Sequence, residues 1–213
     1  MPRKTNIIIR NGTTTPSGSD FNVGEPAWDK TAKKLYIKAG DNTMAEIGGG
    51  GSGGTKTYCV FTPNQNQPPA TNFATLDTRN RILVLDFDDG ATNENAVFVG
   101  IIPEAANLAS GLKVRIHWMA TSATSGNCRW GVQFEKSGTD LDSDSFDTAT
   151  EAHTATNGTS GIETMTEITA TAIDSLAAGD RFRLKVYRDS SDTTNDTMTG
   201  DAELIAVEVR SAA

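Results

Sequence analysis

Long apolar runs are missing from this chain. No stretch of eighteen apolar residues occurs in its 213 residues, which excludes a membrane-spanning helix. The first ten residues hold only Ile7, Ile8 and Ile9 as an apolar run, so no signal peptide is expected. Histidine is scarce, with only His117 and His153, and neither H-x-x-x-H nor H-x-H spacing occurs; this argues against a transition-metal centre. There are two cysteines, Cys59 and Cys128, both in apolar alternating surroundings. They read first as small buried hydrophobes, while a disulfide between them stays open. Leucine is sparse, and no internal repeat or heptad is present, which excludes a helical bundle or a fibrous shaft. No G-x-S-x-G elbow or triad-like set stands out, and the glycine-rich stretch carries no lysine as a phosphate loop would. The catalytic reading is therefore empty, and the expectation is a protein that is not an enzyme.

What is present is alternation. In GDRFRLKVYRD (residues 179–189), Phe182, Leu184 and Val186 alternate with Arg181, Arg183, Lys185 and Tyr187. Such a period of two marks a strand with one buried and one wet face. KVRIHWMA places Val114, Ile116 and Trp118 on one side, and CRWGVQFE places Cys128, Trp130, Val132 and Phe134 on one side. ELIAVEVR puts Ile205, Val207 and Val209 together. Trp118 and Trp130 share the apolar phase and read as core; exposed sugar-stacking platforms are the alternative. The row Arg181, Arg183 and Lys185 faces the other way and suits pairing with an acidic neighbouring strand or subunit.

Charge is unevenly placed. Residues 1–58 carry eight basic against five acidic side chains, or +3, whereas residues 59–213 carry eleven against twenty-two, or −11. The larger part is thus a poor partner for nucleic acid or anionic lipid. Residues 1–6 read as a basic, disordered lead-in, followed by a short strand at residues 7–10 and a small β module to residue 47. GGGGSGG (residues 48–54) is the clearest boundary, so the expected division is a module at 1–47, a linker at 48–55 and a large domain at 56–213. Some eight antiparallel strands separated by polar loops are expected in that domain, with residues 61–75 a long polar loop and residues 104–110 the one passable helix. The predicted fold class is all-β: an N-terminal hairpin module plus an antiparallel, jelly-roll-like β-sandwich. An immunoglobulin-like sandwich is the runner-up.

Residues 137–160 form an acidic stretch. It reads first as a solvated surface loop. The alternative is a Ca²⁺ loop, because Asp140, Asp142, Asp144 and Glu151 occupy the first, third, fifth and twelfth places of such a motif. Ser145 stands where that motif needs glycine. No other cofactor is expected.

The N-terminal segment, with IIIRNGTTTPS, GEPAWDKTAKKLYIKAGD and MAEIG, resembles the short module at the start of many phage tail-fibre and virion-surface proteins. Ile9, Arg10, Gly12, Thr13 and Thr14 match the family's first strand, and Gly24, Glu25, Ala27, Asp29, Leu35, Tyr36 and Ile37 match its hairpin. Asn11 and residues 38–40 depart from it. The resemblance covers about 45 residues. It implies a homotrimer on the virion surface, assembled in the host cytoplasm and attached to the major capsid protein or other virion proteins through these residues together with Trp28. The expected function is then capsid decoration (a cement protein or short head fibre). The alternative is a tail-fibre or receptor-binding tip that adheres to a host surface receptor; another adhesion or carbohydrate-binding module ranks third, and a hydrolase last.

Overall fold

A computed structural model describes residues 9–40, 42–47, 55–138 and 145–212. The chain divides into two compact units, residues 1–54 and 55–213.

In the first unit, β1 (Arg10–Gly12) pairs in parallel with β2 (Pro26–Asp29), which continues antiparallel into β3 (Lys34–Lys38) and β4 (Met44–Ile47). The β2–β3 turn is fixed by Asp29, whose buried carboxylate accepts hydrogen bonds from the amides of Thr31 (2.9 Å) and Ala32 (3.0 Å). Its first described strand is 10–12, overlapping the expected 7–10 at Arg10; Ile7 and Ile8, the 1–6 lead-in and the Gly-rich stretch lie outside the described residues. Ala27 and Tyr36 are the buried apolar residues here, while Ile9, Val23, Trp28 and Ile47 are exposed.

The second unit is an all-β, strand-rich sandwich. Its strands are β5 (Thr57–Phe61), β6 (Thr75–Arg79), β7 (Ile82–Phe87), β8 (Asn95–Ile101), β9 (Leu112–Ala120), β10 (Asn127–Lys136), β11 (Thr150–Ala155), β12 (Thr164–Ala170), β13 (Arg181–Arg188) and β14 (Ala202–Ser211). One sheet has the order β12-β9-β14-β7-β6, with β5 also on β14; the other has the order β11-β10-β13-β8. Their inward faces meet in one core. Val114, Ile116, Trp118, Trp130, Val132, Phe134, Phe182, Leu184 and Val186 all belong to it, each at most 1% exposed. Phe61 stacks on Phe98 with ring centroids 5.3 Å apart, Phe87 meets Trp130 edge-on at 4.9 Å, and the indole of Trp118 donates to Thr166 Oγ1 at 3.0 Å. Burial of each such side chain stabilises the fold by about 1.5–3 kcal/mol, which is why the sheets close face to face.

Two expectations fail on local chemistry, and one strand, β6, was not expected. Residues 104–110 form turns instead of a helix. The Asn107 side chain accepts from the Ala109 amide, and its backbone exchanges hydrogen bonds with the Tyr58 hydroxyl, so both compete with helical pairing. Within residues 61–75, the polar stretch ends in β6, which pairs with β7 through a two-residue turn at Asn80 and Arg81. Both have positive φ (48° and 70°), as a twist-matched hairpin turn requires. Finally, Ile205 does not share a face with Val207 and Val209. The register with β9 slips between Leu204 and Ala206, and Leu204 takes the core position instead. One extra residue in a bulge turns the side chains before it to the opposite face.

Candidate binding groove

A groove lies on the outer face of the β11-β10-β13-β8 sheet. Gln133, Lys185 and Val97 stand abreast on β10, β13 and β8 and make its floor. One wall is the segment of residues 66–72, which runs along β8. It is tied there by Val97 N to Asn66 Oδ1 (2.9 Å), Gln67 N to Val97 O (2.7 Å) and Asn95 N to Asn72 O (2.7 Å). Pro68 and Pro69 stiffen it. Opposite stands Phe146, with Lys185 Nζ 4.7 Å and Arg183 Cζ 5.2 Å from its ring centroid. Phe146 is positioned by its neighbour. Asp147 accepts through its carbonyl from Gln133 Nε2 (2.9 Å), and through its carboxylate from the amides of Asp174 and Thr148 (2.7 Å each). These amides hold the Asp147 carboxyl below its ordinary range. The main cavity encloses about 640 Å³, and a second of about 290 Å³ continues past Gln67 and Arg183 to Val99, Ser137 and Arg181.

Beyond the floor, the same face carries an ionic network. Arg129 pairs with Glu151, Asp189 (3.3 Å) and Asp192, and the Tyr187 hydroxyl donates to Glu151 at 2.5 Å. Burial first, and then the Glu151 carboxylate, push the Tyr187 phenol well above its ordinary range, so it stays a donor. Gly131 makes room for this contact, because a side chain there collides with the Tyr187 ring. Beneath the network, fully buried Arg188 places all five of its N–H donors. Asp196 takes two (2.7 and 3.0 Å), and the carbonyls of Phe87, Met198 and Gly200 take the rest.

Glu151 of the expected calcium motif is thus held by Arg129 and Tyr187, while Asp140, Asp142 and Asp144 lie outside the described residues. Among the described residues no group of three or more His, Cys, Asp or Glu side chains is placed to hold a metal. His117 Nδ1 lies 2.6 Å from Glu163, on the outer face of the other sheet. Cys59 and Cys128 are free thiols, both raised in pKa by burial. Trp118 and Trp130 are wholly enclosed, which rules them out as sugar platforms. Asp86, beside Glu203, is pushed up to about 6 by burial and then by neighbouring carboxylates, yet Glu203 is bound by Arg79 at 2.6 Å and neither lines the groove.

In the first unit the matched residues serve local structure. Arg10 pairs with Glu25 at 3.0 Å and Gly24 adopts a positive φ of 84°. Thr13 O accepts from Thr31, and Leu35, Tyr36 and Ile37 form β3 opposite Trp28, Ala27 and Pro26. Gly12 lies at the end of β1 and Thr14 beside it, lining a small hollow with Trp28.

No family model and no curated protein matches the chain. Solved structures align loosely. The CBM22-1 xylan-binding domain from Paenibacillus barcinonensis Xyn10C is 11% identical, with a TM-score of 0.42, over 76% of this chain and 99% of that one. A carbohydrate-binding module described for specific mannan recognition, TmCBM27, is 8% identical with a TM-score of 0.38, over 76% and 100%. TmCBM61, solved with β-1,4-galactotriose, is 10% identical with a TM-score of 0.35, over 71% and 86%. Alignments this loose assign no ligand to this chain. The solved structures named here are carbohydrate-binding domains, and no family model or curated protein carries a virion role to this chain, so the capsid-decoration expectation is withdrawn. The physical reason is visible in the first unit: a glycine at positive φ, an Asx turn and an alternating strand are what any short hairpin needs, and they carry little identity.

Proposed function

We propose that the second unit is a non-catalytic binding module that takes a glycan chain in the groove over β10, β13 and β8, serving adhesion to a polysaccharide or glycan-bearing surface. The observation that carries this reading is the lining. Among the described residues, Gln67, Asn72 and Gln133 offer amides to hydroxyl-rich ligands beside the ring of Phe146, while the Asn95 amide donates to the carbonyls of Asn72 and Asn93 and shapes the wall. They sit on a hydrogen-bonded sheet and a wall tied to it, so little ordering cost falls on binding. The strand order β12-β9-β14-β7 opposite β11-β10-β13-β8 further supports reading the sandwich as a jelly roll. Native gels cast with soluble polysaccharides test the function. Retardation of the wild type that drops at least tenfold in affinity on Gln133→Ala or Phe146→Ala, with unchanged melting, is the expected result. Free migration through every polysaccharide contradicts it.

We also propose that the first unit associates with its own copies. A module this small buries a low fraction of its surface and is marginal on its own. This unit buries Ala27 and Tyr36 and leaves Val23 68% and Trp28 37% exposed; its sequence has no cysteine before Cys59.

A further inference from the structure

We infer that the groove prefers a glycan whose sugars carry acetamido groups, the N-acetylhexosamines, over one built from plain hexoses; this rests on the glycan-binding reading and narrows it. What points there is an apolar row where a solvated strand face is normally polar. On β8, Ala96 and Phe98 belong to the core, so Val97 and Val99 take the outward positions that line the groove. An antiparallel sheet open to water alternates apolar-in with polar-out, and the neighbouring strands obey this with Gln133 on β10 and Lys185 on β13. Val97 lies in the main cavity and Val99 in its continuation, two residues apart and hence about 6.7 Å along the strand. The rings of Pro68 and Pro69 carry the apolar side up the wall.

A hydroxyl pressed against that side loses water and gains no partner. An acetamido group brings a methyl to it instead, together with an amide that needs one donor and one acceptor. A single carboxamide supplies both, and Gln67 carries one where the two cavities join. Its side chain is exposed, while its backbone is already fixed by Gln67 N to Val97 O at 2.7 Å, so binding orders only the side chain. Across the groove, Gln133 Nε2 is taken by the carbonyl of Asp147, which leaves Oε1 to accept from a sugar hydroxyl. The cations of β13 do not enter the preference. Arg183 is engaged by Glu135 at 2.5 Å, and both it and Lys185 lie over Phe146. The group recognised is therefore neutral, and the domain's acidic excess, twenty-two side chains against eleven basic ones beyond residue 58, neither draws nor repels it.

The test titrates the full chain, its valine methyls labelled for NMR, with N-acetylglucosamine, N-acetylgalactosamine, glucose and galactose. Native gels cast with galactan or hydroxyethylcellulose supply the plain-hexose polymers. Burying one methyl is worth about fourfold in affinity before the amide bonds are counted. At least one N-acetyl sugar is expected to bind at least fivefold tighter than its parent hexose, with the Val97 and Val99 signals moving. Gln67→Leu, which keeps the backbone tie, and Val99→Thr, which keeps the shape but adds a hydroxyl, each cut that preference at least threefold with unchanged melting. The comparison of sugars on the wild type stands even if a variant fails to fold. Equal binding of both N-acetyl sugars and their parent hexoses overturns this inference and leaves the glycan-binding reading standing. Retardation by a plain-hexose polymer, with no response to either N-acetyl sugar, does the same. A preference that survives both variants overturns its assignment to this row, and response to none of the sugars or polymers overturns both readings.

Discussion

Asp86 and Arg188 show how differently a buried charge behaves with and without partners. Asp86 has an enclosed, unpaired Oδ1 among other carboxylates, and its pKa rises from 3.8 to about 6. The folded state therefore binds its proton more tightly than the unfolded chain does. The stability this supplies is complete below about pH 4 and is lost as pH rises through about 6. Asp86→Asn should raise the melting temperature at pH 7.5 and leave it unchanged near pH 3.5; thermal melts at the two values check this, and a uniform shift at both contradicts the assignment. Arg188 is the reverse case, with every donor satisfied. Removing it strands Asp196 and three carbonyls, so Arg188→Ala should cost about 3–5 kcal/mol in denaturant unfolding. A loss below about 1 kcal/mol contradicts the network. Trp118→Ala empties the centre of the core and should cost about 3–5 kcal/mol in the same measurement.

At the scale of elements, the inward phases of β9, β10 and β13 were readable from alternation alone, because each strand keeps one apolar side against the facing sheet. The outward row of Arg181, Arg183 and Lys185 was equally readable, though alternation could not say that Glu135 on β10 would pair with Arg183. What alternation could not carry was β14. Ile205 sits in a bulge, and only the pairing with His117 and Trp118 on β9 reveals the slip. Gln133 was also hidden as a site residue. Its role comes from the segment of residues 66–72 arriving on β8 and from Phe146 arriving from the loop, and neither approach leaves a period in the sequence. Gly131 on β10 carries a consequence of its own. Gly131→Ala should displace the Tyr187 ring, break its bond to Glu151 and destabilise the domain by about 1–3 kcal/mol in denaturant unfolding.

For the molecule as a whole, the two units differ in what holds them. The second closes a continuous aromatic core, whereas the first leaves much of its apolar surface in water. Sedimentation of the full chain should therefore give a mass above 22.6 kDa at micromolar concentration, shifting toward the monomer on Trp28→Asp. A monomer at all concentrations contradicts self-association. The hairpin motifs of the first unit pointed to a particle surface, yet those residues serve the unit's own turn and strand pairing. The glycan reading stands on the groove, and it is tested most directly by following backbone NMR shifts while a retarding polysaccharide is titrated in. The account predicts perturbations confined to residues 67–72, Val97, Gln133, Phe146 and the outer face of β13. Shifts centred on the outer face of the β9–β12 sheet or on the first unit, with the groove unmoved, would contradict it.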